Sequence, residues 1–207
     1  MFVVQGESMM IFVRRVLSII SVLLFASLIY SHPHTFIDYK IDFKFDTKGL
    51  AAIKTIWKFD EMFTQMVKTY DENEDNIFQE TEIATLKSEA FDNLKEYNYF
   101  AKIYINGKVF EVKFIKNFRA EINGNQLIYS FSIPCHVTAT TALKIISVIF
   151  FDPTYYIHVD PAMDDIAWTA SNASLFDVAV QKSESEKDAY YQGMIVPFRF
   201  DMKFSRK

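Results

Sequence analysis

The acidic segment from Asp71 to Glu82 carries the residues of this sequence that are best suited to bind a hard cation. Calcium takes roughly six to eight oxygen ligands, and a tight loop turns alternate side chains inward. The spacing therefore predicts a calcium site of the EF-hand type. Its expected ligands are the side chains of Asp71, Asn73, Asp75, Gln79 and Glu82, together with the backbone carbonyl of Ile77.

The sixth position of this segment departs from the EF-hand pattern, because it holds Asn76 where a glycine is expected. Asparagine adopts the left-handed backbone more readily than other non-glycine residues, so we expect the loop to close but to bind its ion more weakly. The segment holds six carboxylates and no lysine, and these carboxylates would repel one another without a cation. The alternative is an acidic, solvated turn between two helices.

Two of the four histidines flank a proline, in the order His32, Pro33, His34. Side chains two residues apart on an extended segment point the same way, so both imidazoles can reach one metal ion. Pro33 has no N–H to lose, which leaves the amino-terminal square-planar copper or nickel arrangement incomplete. We therefore expect a further ligand from elsewhere, first His158 and then His136, around zinc, copper or nickel. The alternative is a frayed, solvated chain end.

The composition limits the class of protein to which these residues belong. Half of the 207 residues are hydrophobic and 16% are aromatic, which is enough for a large core and excludes a disordered chain. The net charge of −4 argues against nucleic-acid binding, which needs clustered cations. A single cysteine excludes an intrachain disulfide and a zinc ribbon. Glycine is too scarce for a glycine-rich phosphate loop, and we expect no small organic cofactor.

Residues 1–31 differ in character from the rest of the chain. Two adjacent arginines precede an apolar run from Val16 to Tyr30, which is shorter than the roughly 20 residues of a membrane-spanning helix. This arrangement is typical of a secretory signal peptide. We expect export to the periplasm and cleavage that leaves His32 as the first residue. The alternative is an uncleaved N-terminal membrane anchor.

Residues 32–207 show the alternation of apolar and polar side chains that half-buried strands require. About eight or nine such stretches, joined by short turns such as Asn106-Gly107, predict a mainly β protein with an antiparallel β-sandwich. The expected strands include Ile37–Asp46, a second ending near Trp57, Ala101–Ile105, Val109–Ile115, Leu127–Ile133, Leu143–Phe151, Tyr155–Val159, Phe176–Val180 and Val196–Phe204.

Residues 59–97 interrupt this pattern with two apolar stripes at helical spacing. We therefore expect an EF-hand-like helix–loop–helix inserted between the second and third strands, with the acidic segment as its loop. Asp60 is the expected N-cap of the first helix. The first stripe is Phe59, Met62, Phe63, Met66, Val67 and Tyr70, and the second is Ile83, Leu86, Ala90, Phe91, Leu94 and Tyr97.

Several short tracts occur in a characteristic order: His32-Pro33-His34 with Ile37-Asp38, Trp57–Glu61, the acidic segment, Tyr97–Phe100 and Asp152–Tyr156. This order, over residues 32–160, resembles a bacterial family known as the domain of unknown function one-thousand-and-seven. The family is described as the periplasmic component of an ABC-type transport system. Its members are often linked with nickel or cobalt permeases, so the resemblance implies a metal-handling role beside an inner-membrane metal permease. It implies no established activity.

These features together predict a periplasmic metal-binding accessory protein of a divalent transition-metal (nickel, cobalt or zinc) transport system, structurally braced by calcium. We expect a carrier rather than an enzyme, because the sequence contains no nucleophile elbow, zincin helix or phosphate loop. The alternative is a calcium-stabilised scaffold or adhesion domain. A third hypothesis is a copper-dependent enzyme in which His32 and a second histidine form a histidine brace.

Overall fold

The computed structural model describes residues 33–163 and 168–207, which form two β-sheets and a short helical insertion. The prediction of a mainly β protein is confirmed. The expected signal peptide, residues 1–31, and His32 lie outside the described residues. The described helices include none that is both long enough and apolar enough to cross a membrane.

The strands and α-helices of the described residues are numbered in chain order. The strands are β1 (Thr35–Phe45), β2 (Gly49–Phe59), β3 (Ala101–Ile105), β4 (Lys108–Phe110), β5 (Lys116–Asn123), β6 (Gln126–Thr138), β7 (Lys144–Phe150), β8 (Ile157–Pro161), β9 (Trp168–Thr169), β10 (Phe176–Glu184) and β11 (Phe198–Arg206). The helices are α1 (Glu61–Val67) and α2 (Glu80–Leu86).

Sheet A has the strand order β5-β6-β2-β1-β8, and the two-residue strand β9 also pairs with β1. Along β1 the odd-numbered residues are buried and the even-numbered ones turn outward, because successive side chains of a strand point to opposite faces. Most pairings are antiparallel, but β8 and β9 run parallel to β1. β8 can run parallel to β1 because the two strands are not joined by a tight hairpin. In the chain, β8 follows β7, which belongs to the other sheet.

Sheet B has the strand order β10-β11-β7-β3-β4, and all its pairings are antiparallel. Rings from the inner faces of the two sheets meet in the core. The ring centroids of Tyr39 and Phe150 are 5.0 Å apart, and those of Phe45 and Phe204 are 5.2 Å apart. Trp57 is fully buried against Phe150, so it is a core residue. The apolar faces of the strands therefore pack the two sheets against each other.

The helical insertion lies between β2 and β3 as predicted, but its second apolar stripe is wrong at Ala90 and Tyr97, which are exposed, and its first is wrong at two positions. Met62 and Met66 are 65% and 60% exposed. Helix α1 turns Thr64 toward β6 instead, and the Thr64 hydroxyl accepts a hydrogen bond of 2.9 Å from the backbone N–H of Leu127. Because the buried N–H of Leu127 needs a hydrogen-bond partner, α1 packs with its Thr64 face against β6. After α2, π and 3-10 turns continue the insertion to Phe100.

The strand predicted over Val109–Ile115 is also wrong in extent, because β4 ends at Phe110 and β5 begins at Lys116. The backbone N–H of Val112 donates to the side-chain oxygen of Asn98 at 2.8 Å, so it does not join a strand ladder. The sequence analysis does not predict β5.

Candidate metal-binding site

The acidic segment joins the two helices of the insertion, as predicted. A 3-10 turn follows α1, and α2 begins at Glu80, so residues 71–79 form the loop itself. Asp71 and Glu82, at the two ends of the segment, are buried. Asn76 has a φ of 63°, so the residue at the sixth position adopts the left-handed backbone that the EF-hand spacing requires there.

Asp71 organises the first half of the loop through its carboxylate. That carboxylate accepts hydrogen bonds from the backbone N–H groups of Asp75 at 3.2 Å and Asn76 at 2.7 Å. The Asp75 carboxylate accepts one from the N–H of Ile77 at 2.8 Å, and the Asn73 side-chain oxygen accepts one from the N–H of Asp75 at 3.2 Å. These bonds hold the first, third and fifth side chains against one short stretch of backbone.

Glu82 closes the loop from the first turn of α2. Its Oε1 accepts a hydrogen bond from the backbone N–H of Glu72 at 2.8 Å, and its Oε2 accepts one from the N–H of Gln79 at 2.7 Å. A single carboxylate thus ties the start of the loop to its end. Because each carboxylate oxygen has two lone pairs, both oxygens keep the capacity to bind a cation.

The other two predicted ligands lie beside this network. The Gln79 side-chain amide donates to the carbonyl of Ile77 at 2.9 Å and lies 3.4 Å from the Asp75 carboxylate. Within residues 33–163 and 168–207, no three His, Cys, Asp or Glu side chains are grouped closely enough to hold a metal ion by themselves. An ion in the loop would therefore also need the amide and backbone oxygens of Asn73, Ile77 and Gln79, and calcium accepts such mixed oxygen sets.

Two of the predicted histidine ligands, His34 and His158, lie at the edge of sheet A, where β8 runs beside β1. The backbone N–H of His34 donates to the carbonyl of Tyr156 at 3.0 Å, and the two rings are 5.0 Å apart. His158 is opposite Phe36 in the strand register, with 5.6 Å between their rings. The fold therefore brings His34 and His158 to the same sheet edge, where each ring packs against an aromatic neighbour.

His158 also has a carboxylate partner, because its Nε2 lies 2.8 Å from an oxygen of Asp160. This hydrogen bond raises the pKa of His158 above its ordinary value, although partial burial acts in the opposite direction. The Nδ1 atom of His158 is buried and has no hydrogen-bond partner among the described residues. Asp160 is not among the site residues predicted from the sequence, although its position two residues after His158 on a strand places both side chains on the same face.

The tract Asp152–Tyr156 forms a rigid turn that positions β8. The Asp152 side chain is buried, and its two oxygens accept hydrogen bonds from the backbone N–H groups of Thr154 at 2.9 Å and Ile157 at 3.0 Å. His136 does not join His158, because it lies near the end of β6, which is separated from β1 by β2 and is level there with the far end of β1. His32 lies outside the described residues.

Comparison with known proteins gives a family but no activity. The sequence matches a family model described as "Protein of unknown function (DUF1007)" over residues 17–201. An uncharacterised 15.5 kDa protein from the trpE 3′ region of Spirochaeta aurantia is 31% identical over 135 residues, which are 64% of this chain and 93% of the relative. An uncharacterised protein of Haemophilus influenzae is 27% identical over 131 residues, which are 62% of this chain and 62% of the relative.

Proposed function

The chain belongs to the DUF1007 family, and from that premise we propose that it is a periplasmic, calcium-braced accessory protein of a divalent transition-metal transport system. The observation that carries the proposal is the segment Asp71–Glu82, in which oxygen donors at EF-hand spacing lie on a loop folded by its own carboxylates. Calcium binds this loop, and the transported metal binds elsewhere.

The chemistry of the donors favours calcium over other divalent ions. All six expected ligands are oxygens, and Asp71, Asp75 and Glu82 supply negative charge. Nickel and zinc prefer nitrogen or sulfur ligands, whereas magnesium prefers a near-octahedral site in which it keeps several waters. The mixture of carboxylate, amide and backbone oxygens suits the larger and more adaptable coordination shell of calcium.

The calcium ion is expected to stabilise the helical insertion instead of acting as a switch. The described residues contain one loop of this kind, and solitary extracellular sites bind with dissociation constants of roughly 10⁻⁴–10⁻³ M. An ion that binds the folded state alone stabilises it by about 2.7 kcal/mol when its concentration is a hundred times the dissociation constant. The entry and exit helices would then be held together by Glu82, which already contacts both ends of the loop.

Calorimetric titration and thermal melting test the calcium site. We expect wild-type protein to bind calcium and to melt at a higher temperature with calcium than with a chelator, whereas the Asp71→Asn variant loses both responses. Glu80→Gln is the matched control, since it removes one charge from the tenth position of the same segment without removing an expected ligand. Equal melting temperatures of the wild type with calcium and with the chelator would remove the calcium site from the proposal.

The transported metal is assigned to the edge that contains His34 and His158. Metal-binding histidines commonly use one ring nitrogen for the metal and pair the other with a carboxylate. His158 fits this arrangement, because Asp160 contacts its Nε2 and its Nδ1 has no hydrogen-bond partner among the described residues. Cleavage before His32 would add a terminal amine and a further imidazole to the same chain end.

Titration with nickel, cobalt, zinc and copper of protein that begins at His32 tests this second site. We expect binding that weakens at least tenfold in His32→Ala, His34→Ala and His158→Ala. His136→Ala is the matched control, because that histidine lies on β6, away from the edge formed by β1 and β8. Equal weakening in the control would contradict the assignment. A gene for a metal permease beside this one would support an inner-membrane partner.

The same titrations separate the two remaining hypotheses. Calcium binding without any transition-metal binding would favour a calcium-stabilised scaffold or adhesion domain. Copper binding that depends on His32, together with redox turnover, would favour a histidine-brace enzyme over a carrier.

A further inference from the structure

A cleft of about 450 Å³ on the outer face of sheet A is lined by basic side chains, and we call it the basic cleft. Its lining includes no carboxylate among the described residues, although the whole chain has a net charge of −4. The basic residues come from four strands: Lys44 from β1, Lys54 from β2, Lys116 and Arg119 from β5, and His136 from β6.

The strand register explains why this face is concave. Ser132 of β6 lies between Lys54 of β2 and Lys116 of β5, in one row across the sheet. In the next row, Ser130 of β6 lies beside Arg119 of β5. The centre of the cleft is thus formed by short hydroxyl side chains and its sides by long cationic ones. Hydroxyls and cations are both hydrogen-bond donors to an anion.

Two irregularities in the strands shape the same cleft. The pairing of β5 with β6 shifts register between Lys116 and Arg119, and the pairing of β2 with β6 shifts between Leu50 and Ala52. Asn117 lies within the first irregularity and has a positive φ of 55°. Bulges bend strands and redirect side chains, and they occur often beside binding sites.

Asp42, which is opposite Lys54 in the strand register, already has partners of its own. Asp42 lies 2.6 Å from the Lys44 ammonium and accepts a hydrogen bond from the Ser171 hydroxyl; these contacts outweigh its burial and lower its pKa. Lys54, Lys116 and Arg119 form no ion pair with another described residue. Three cations without carboxylate partners therefore converge on one concave surface, where an anion would relieve their mutual repulsion.

We propose that the basic cleft binds a small, soluble phosphorylated solute. Its phosphate oxygens are held by Lys54, Lys116 and Arg119 and accept hydrogen bonds from the hydroxyls of Ser130 and Ser132. A phosphate group carries up to two negative charges near neutral pH and offers several acceptor oxygens, which matches this donor set better than a single carboxylate does. The volume suits a molecule larger than the phosphate group alone. This site is independent of both proposed metal sites.

Calorimetric titration of the full chain with inorganic pyrophosphate, at low ionic strength and without divalent cations, tests the proposal. We expect binding that weakens at least tenfold in the double variant Lys54→Glu/Lys116→Glu. The matched control is Lys108→Glu/Lys203→Glu, which makes the same change in net charge at exposed positions of sheet B and should alter affinity less than twofold. Ser132→Ala, which keeps every charge, should weaken binding by a smaller factor of about three to ten.

Three results would overturn the proposal. The first is the absence of pyrophosphate binding by the wild type, and the second is an equal loss in the sheet B control, which would show a response to net charge alone. The third is binding to vesicles of phosphatidylglycerol without binding to pyrophosphate, since the surface would then recognise a membrane. If the charge-reversed variant does not fold, as judged by circular dichroism, Lys54→Gln/Lys116→Gln replaces it and should also lose at least tenfold in affinity.

Discussion

The acidic loop and the histidine edge assemble their candidate ligands in different ways. All the oxygen donors of the loop come from the single segment Asp71–Glu82, and hydrogen bonds to the backbone of that segment hold them. His34 and His158 are far apart in the chain and reach the same sheet edge only because β8 runs parallel to β1. A contiguous site depends on local conformation, whereas a discontinuous site depends on the whole fold.

The two regions also differ in the ions that suit them. The loop concentrates carboxylate and amide oxygens, which are hard ligands. The histidine edge combines imidazole nitrogens with the rings of Phe36, Tyr155 and Tyr156 and with the carboxylate of Asp160. Imidazole nitrogens are ligands that borderline metals such as zinc accept, and the proposed transition-metal site depends on this chemistry. Four substitutions test this difference between the two regions.

Glu82→Gln is expected to have the largest effect, because Glu82 is the one carboxylate that bonds to both ends of the loop. Loss of its charge should weaken calcium binding by roughly a hundredfold, as ligand charge controls affinity in such loops. Calorimetry measures this change, with Glu74→Gln as the control that removes an equal charge from a non-ligand position. Unchanged calcium affinity in Glu82→Gln would mean that Glu82 is not a ligand, and the EF-hand assignment of the loop would then be wrong.

Asp160→Asn should act on the other region and leave calcium binding unchanged. Removing the carboxylate lowers the pKa of His158, which NMR titration of its ring protons measures. Because the His158 pKa is raised in the folded state, the stability contributed by the pair is present at acid pH and is lost as pH rises through that pKa. The loss of stability in the variant, relative to the wild type, should therefore be greatest at acid pH. The variant should also bind zinc about tenfold more weakly. An identical titration in variant and wild type would contradict the pairing.

Asn76→Ala tests the local backbone of the loop, since φ at this position is 63°. The left-handed conformation is less favourable for alanine than for asparagine, so we expect a loss of about 1 kcal/mol in the free energy of unfolding. Asn76→Gly should instead be neutral or slightly stabilising. Chemical denaturation measures both changes, and Asn125→Ala is a control at an exposed asparagine outside the left-handed region. Equal effects of alanine and glycine at position 76 would contradict this explanation.

His34→Ala should have the smallest effect on the metal-free protein, below about 0.5 kcal/mol in the free energy of unfolding. Its hydrogen bond to Tyr156 uses the backbone N–H, which alanine retains. Denaturation in the presence of a chelator measures this value. A loss of several kcal/mol would show that His34 has a structural role, and the variant could not then be used to test metal binding.

Several features follow from residues that are close in the sequence. Asp60 caps α1 as predicted, with its side chain accepting a hydrogen bond from the N–H of Phe63 at 2.8 Å. The alternation along β1 and the turn at Asn106-Gly107 are also confirmed. These predictions succeed because strand period, capping and tight turns are set by steric and hydrogen-bonding preferences within a few residues.

Other features depend on partners that are distant in the sequence. The exposure of Met62 and Met66 depends on the bond from Leu127 to Thr64, and the early end of β4 depends on Asn98. Each partner lies on another element, so local spacing contains no signal for it. Export, cleavage before His32 and the link to a permease remain predictions from the sequence.

The mainly β class, the place of the helical insertion and the spacing of oxygen donors in the acidic loop could all be predicted from the order of residues. Each of these features depends on residues that are close together in the sequence, and the directions of their side chains follow from the period of a strand, helix or turn. By contrast, the position of His158 beside Phe36 and the cleft lined by basic residues of four strands follow from how the strands are arranged in the folded protein. Strand order and register bring together residues that the chain keeps apart, and these depend on how the two sheets bury their apolar faces.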